Sequence, residues 1–173
     1  MKYAIFGTLA LMSIFLLFAN SSAEVGADII DKIKLTDADI PADFAYGVLP
    51  DRVKRVLKGN PAQLDRAAIR KVIKDMELYP GGDHTTVLAM HAAVIAHKKN
   101  PHDDDIVCYI IVYKDMKSAK HEIEKLSALV GANKTRTVMV TRDNCAVFLF
   151  VDEEANFHHI QKMAGTITAR LKK

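Results

Sequence analysis

Apolar residues run unbroken from Ile106 to Tyr113 (Ile-Val-Cys-Tyr-Ile-Ile-Val-Tyr), between Asp103-Asp104-Asp105 and Lys114-Asp115. Eight β-branched, aromatic or thiol residues with no polar alternation predict a strand buried on both faces, in the middle of a sheet. After it, apolar residues recur at helical spacing: Ala119, Ile123, Leu126 and Val130 predict a helix opened by Asp115 or Ser118 and closed by Gly131-Ala132-Asn133. Thr135–Thr141 and Cys145–Val151 read as two strands joined by an Arg142-Asp143-Asn144 turn. Asp152-Glu153-Glu154 then opens a last helix, with Phe157, Ile160, Ala164, Ile167 and Leu171 on its inner stripe.

Upstream the pattern is more broken. Residues 24–34 carry Val25, Ile29, Ile30 and Ile33 at helical spacing, and Leu35–Pro50 mixes turn formers with apolar residues as an extended segment laid over the domain. Asp51 is expected to cap a short helix to Lys58. Gly59-Asn60-Pro61 then reads as a helix stop and restart, with Asn60 capping a helix from Pro61 to about Leu78. His84–Lys98 fits either element: its Ala, Met and Leu favour helix, whereas a hairpin onto Ile106–Tyr113 favours strand. The strand reading is adopted. The expected fold is therefore α+β, a mainly antiparallel sheet built from two strand–strand–helix units (about 86–131 and 135–171) preceded by two or three N-terminal helices.

The N-terminus changes where this domain is expected to work. Met1-Lys2 is followed by an apolar run from Tyr3 to Ala19, and Asn20-Ser21-Ser22-Ala23 offers small residues at a cleavage site. That is a signal-peptide pattern, cleaved after Ala23; the alternative is an uncleaved anchor, because the run is at the lower edge of a membrane span. Cleavage gives an extracytoplasmic protein, periplasmic or secreted, with residues 24–173 as one domain, 24–60 its lead-in, and no stable membrane anchor. Formal net charge is +3, of which Lys2 supplies one, and Trp is absent. Such a balance gives no basis for nucleic-acid binding.

Export makes Cys108 and Cys145 candidates for a disulfide, the alternative being two buried thiols, and the sequence leaves both open. Catalytic patterns are missing. Ser118 and Ser127 are the serines after Ala23; both sit in one predicted helix without a nucleophile elbow, and there is no P-loop, dinucleotide fingerprint or haem motif. The histidines form the one ligand-like constellation. His91 and His97 fall on one face of the predicted strand, near a loop carrying His102, Asp103, Asp104 and Asp105, a donor mixture suited to a divalent transition metal. Against it stands the reading of Asp103–Asp105 as a solvated hairpin loop and of His121, His158 and His159 as helix surface. No cofactor is predicted on the main reading. The sequence is thus read as an exported, non-catalytic binding domain for an unknown protein or small molecule, contacting it through Leu35–Pro50 or His102–Asp105. The alternatives are a transition-metal-binding protein and a small hydrolase without a recognisable motif.

Overall fold

Strand β4 (Ile106–Tyr113) lies inside a six-stranded antiparallel sheet, between β3 (Val87–His97) and β6 (Cys145–Val151). The computed structural model describes residues 24–103 and 105–173; the signal-peptide reading of 1–23 and the proposed ligand Asp104 lie outside them. The strand order is β1-β3-β4-β6-β5, with β1 at Phe44–Tyr46 and β5 at Thr137–Arg142. A two-residue strand, β2 (Ala62–Gln63), pairs with β3 at Ala92 and His91, in line with β1, which pairs at Ile95–His97. The chain is therefore α+β with an antiparallel sheet.

Helices cover both faces, which is why β4 shows no polar alternation. On one face Ala89, Ala93, Ile95, Cys108, Ile110, Val147 and Leu149 pack against Ile30 and Ile33 of helix α1 (24–33) and Ile160, Met163 and Ile167 of helix α5 (Phe157–Leu171). On the other, Met90, Ala92, Ile111, Tyr113 and Phe148 meet Leu126 of helix α4 (Met116–Ala132) and Ile69, Val72 and Ile73 upstream. A register shift between Val87 and Ala89 moves Val87 to the α4 side, so simple alternation fails at the start of β3. Among the described residues no helix is long and apolar enough to cross a membrane.

The single helix expected from Pro61 to Leu78 is instead an extended pair followed by a short helix. After α2 (Asp51–Lys54), residues Ala62–Gln63 form β2, and helix α3 spans Arg66–Arg70. Asp65, not Asn60, caps α3, accepting from the Ala68 amide at 2.9 Å. α3 then widens into a π-turn at Lys71–Asp75, closed by Met76 N–H donating to the Lys71 carbonyl at 2.8 Å. The wider turn carries Met76 off the apolar stripe, and its side chain is exposed. Gly131 likewise stays inside α4, and Asn133 closes that helix.

Asn60 has a different task from the one its sequence context suggests. Its amide nitrogen donates to the Val94 carbonyl (2.6 Å) and the Gly47 carbonyl (2.8 Å), and its oxygen accepts from Val94 N–H (2.9 Å). One side chain thus stands in for the missing strand backbone between β1 and β2. Asn60→Ala would strip these partners from a half-buried site and is expected to cost about 2 kcal/mol, read as a lower urea midpoint at unchanged slope.

Of the two readings left open for the cysteines, the sheet register favours buried thiols over a disulfide. Cys108 faces Leu149 and Cys145 faces Val112, so the two thiols sit four residues apart along neighbouring strands. That offset is about 13 Å at ordinary strand rise, beyond the roughly 7 Å that a disulfide bridges. Both are free and buried, and burial pushes each thiol up to about 12. They are inert packing residues.

Candidate ligand pocket

Among the described residues, those proposed as metal ligands do not converge on one point. His91 and His97 share a face but lie six positions apart on one strand, about 20 Å, whereas donors to one ion must all stand within about 2 Å of it. His91 is buried among apolar residues, and its Nδ1 has no hydrogen-bond partner. His97 uses its backbone N–H to donate to Asp105 (2.7 Å), and its Nδ1 accepts from Lys99 N–H (3.1 Å). Asp103 accepts from the Asn100 side chain, and His102 is exposed on the same turn. These bonds shape the β3–β4 turn, and among the described residues no three His, Cys, Asp or Glu side chains are placed to hold a metal ion.

A different pair of histidines lines a pocket. The segment 36–46 is a strap that runs from a 3-10 turn at Asp37–Asp39 into the edge strand β1, and between its residues Ala38–Ala42 and α5 is a half-enclosed cavity of about 360 Å³. Its other wall is His158, His159, Lys162 and Thr166. Offsets of one, four and eight residues from His158 place these four on one helical face. The opposite face of α5, Ile160, Met163, Ala164 and Ile167, is buried in the core, so α5 is anchored as it presents them.

The strap is held at many points. Thr36 bonds Asp39 through its backbone N–H (2.7 Å) and hydroxyl (2.8 Å), capping a single 3-10 turn at Asp37–Asp39. Arg170 of α5 donates to both Asp39 oxygens at 2.9 Å and to the Lys34 carbonyl at 2.8 Å. Burial opposes the Asp39 carboxylate, but the Thr36 and Arg170 bonds together hold its pKa below the ordinary value. Tyr46 donates to the Leu35 carbonyl at 2.9 Å, and the Lys98 ammonium donates to the Ala42 carbonyl at 2.7 Å. A wall fixed in this way is largely preformed, as ligand pockets usually are.

At the inner end, the Phe44 ring meets His159 edge-on at 5.1 Å and His97 at 5.2 Å. The His158 and His159 rings lie 3.8 Å apart. His158 Nδ1 is 2.9 Å from the Ala155 carbonyl, which can only accept, so that nitrogen carries the proton. Its Nε2 is then an acceptor when the ring is neutral and a donor when it is charged. Burial lowers the His159 pKa first, and the neighbouring His158 and Lys162 lower it further against the opposing pull of Asp43.

The sequence reading assigned His158 and His159 to solvated helix surface. Their spacing with Lys162 was visible, but nothing local told that a strap from residues 38–42 would roof that face. Other pockets differ in lining: one of about 300 Å³ is lined by Leu129, Phe148 and Phe150 together with Arg136, and another of about 270 Å³ gathers Lys32, Arg142 and Lys172. Comparison with protein-family models, curated proteins and solved structures finds no match to this chain.

Proposed function

We propose that this chain is an exported, non-catalytic binding domain, released by cleavage after Ala23, that takes a small-molecule ligand between the 36–46 strap and α5. The pocket itself carries the reading: a cavity of about 360 Å³ with one wall held by Arg170, Thr36, Tyr46 and Lys98, and the other rich in donors. Strap residues 38–42 fall within Leu35–Pro50, the irregular segment expected from the sequence to carry recognition. The strand–strand–helix order over 86–131 and again over 135–171 is read as one topological unit used twice. In this reading the second unit supplies the ligand-facing helix.

A fragment screen followed by amide chemical shifts tests the assignment. Ligands are expected to perturb 38–42 and 158–166 together, and Thr166→Phe, which fills the cavity from its half-buried wall, is expected to abolish the response. Hits scattered over the surface, or hits indifferent to Thr166→Phe, would remove the pocket from consideration.

A further inference from the structure

Resting on that pocket, we infer that its ligand is a small organic anion, with an acid group held by His158, His159 and Lys162 and an apolar body laid on Ile40, Pro41 and Ala42. The two walls differ in kind. The strap contributes Ala38, Ile40, Pro41 and Ala42, whose side chains offer no hydrogen bonds. The α5 wall contributes two imidazoles, an ammonium and a hydroxyl. The one acid lining the cavity, Asp39, is already engaged by Arg170 and Thr36, which leaves it poorly placed to neutralise an incoming cation. Imidazolium and ammonium groups make charge-assisted bonds to carboxylate or phosphate oxygens, about twice as strong as neutral ones.

The charges around the cavity set the pH response. His158, His159 and Lys162 lie on α5; Asp43 precedes β1; His97 stands behind the Phe44 ring; the Lys98 ammonium is tied to the Ala42 carbonyl; and Asp39 and Arg170 are paired. Asp43 is the acid that favours charged His159, and it is outnumbered by His158 and Lys162. An anion would supply the missing opposite charge. By reciprocity, proton uptake by His159 must strengthen anion binding, and a bound anion must raise the His159 pKa. Thr166 directs its hydroxyl to the Lys162 carbonyl at 3.4 Å, which leaves the donors to the anion as His158, His159 and Lys162.

The test uses charged and neutral pairs: benzoate against benzamide, its isostere, and phenyl phosphate against phenol, titrated into the 24–173 protein at pH 5.5 and pH 7.5 while imidazole resonances are followed. The anions are expected to bind at least about tenfold more tightly than their neutral partners, as the loss of one charged bond would give. Benzoate, whose charge does not change over this range, should lose affinity several-fold from pH 5.5 to 7.5, and the His159 titration should move upward in the presence of either anion. Lys162→Gln and His158→Gln, both at exposed positions that leave the core untouched, should each remove most of the preference; Lys172→Gln, on the other basic surface, should not. The tighter of the two anions identifies the acid as carboxylate or phosphate. Equal binding of neutral and anionic partners in the pocket, or an anion response that follows Lys172 instead, would overturn the anion inference yet leave the pocket standing. No binding of any of the four, together with a failed fragment screen, would overturn both.

Discussion

Glu122→Ala is expected to destabilise the fold by about 3 kcal/mol, among the largest losses available to a single substitution in this chain. Glu122 is fully buried on α4. Its Oε2 accepts from the Tyr79 hydroxyl and from Asp83 N–H, each at 2.9 Å, and its Oε1 pairs with Lys125 at 2.7 Å. Lys125 also donates to the Gly81 carbonyl at 2.7 Å, so the loop 79–83 is fastened to α4 by one carboxylate and one ammonium. Burial, then Tyr113 and Glu122 beside it, pushes the Tyr79 phenol above its ordinary range, so it stays a donor. Removing the carboxylate takes from the buried phenol its 2.9 Å partner and leaves the Asp83 amide without an acceptor and Lys125 without its counter-charge. Glu122→Gln keeps one acceptor oxygen but turns an N–H₂ toward Lys125, and should lose about half as much. Urea unfolding of the two variants checks the order. An Ala variant within 1 kcal/mol of the parent would mean that water replaces the network at little cost.

His91 sets the second large effect, and this one is switched by pH. Burial chiefly, with Lys34 nearby, lowers its pKa from 6.5 to about 4, against the opposing charge of Asp31. The folded value lies below the unfolded one, so on acidification the unfolded chain takes up the proton first. Stability from this group is complete above about pH 6.5, declines between about 6.5 and 4, and is gone below; the span corresponds to about 3 kcal/mol. His91→Phe should flatten the stability profile between pH 6.5 and 4, at little cost at pH 7.5 because the unpartnered Nδ1 leaves with the ring. Denaturation midpoints at half-unit pH steps measure this. A parent and variant that decline in parallel would assign the acid sensitivity to other groups.

How far the sequence could be read depended on the range of the forces involved. Ile106–Tyr113 announced itself because burial on both faces forces an unbroken apolar run, and Ile160, Ala164 and Ile167 announced α5 because one helical face repeats locally. Asp115 was recognisable as a cap, since its partner, the Ser118 N–H at 2.8 Å, is three residues away. Pro61–Leu78 was misread because Asn60 is satisfied by Val94, 34 positions along the chain, and not by the turn that follows it. Glu122 looked like an ordinary polar helix position; its burial depends on Tyr79, 43 residues distant. The pocket was hidden for the same reason, since Arg170 reaches Asp39 across 131 residues to set the strap over His158 and His159. Donor spacing in sequence drew attention to His91 and His97 instead, and an extended strand holds such residues apart.

The Asn60 splice also has a consequence for local opening. Val94 sits well inside β3, the longest strand, where an amide would ordinarily exchange with solvent only when the sheet itself comes apart. Its N–H is held by a side chain from the Gly59–Pro61 turn, and its carbonyl is shared between that side chain and Gly47 N–H at 3.0 Å. Whenever that turn lifts away, Val94 is released while Ile95 and Ala93 remain in their ladders. Deuterium uptake at this one amide therefore reports the opening rate of a surface turn from the middle of a strand.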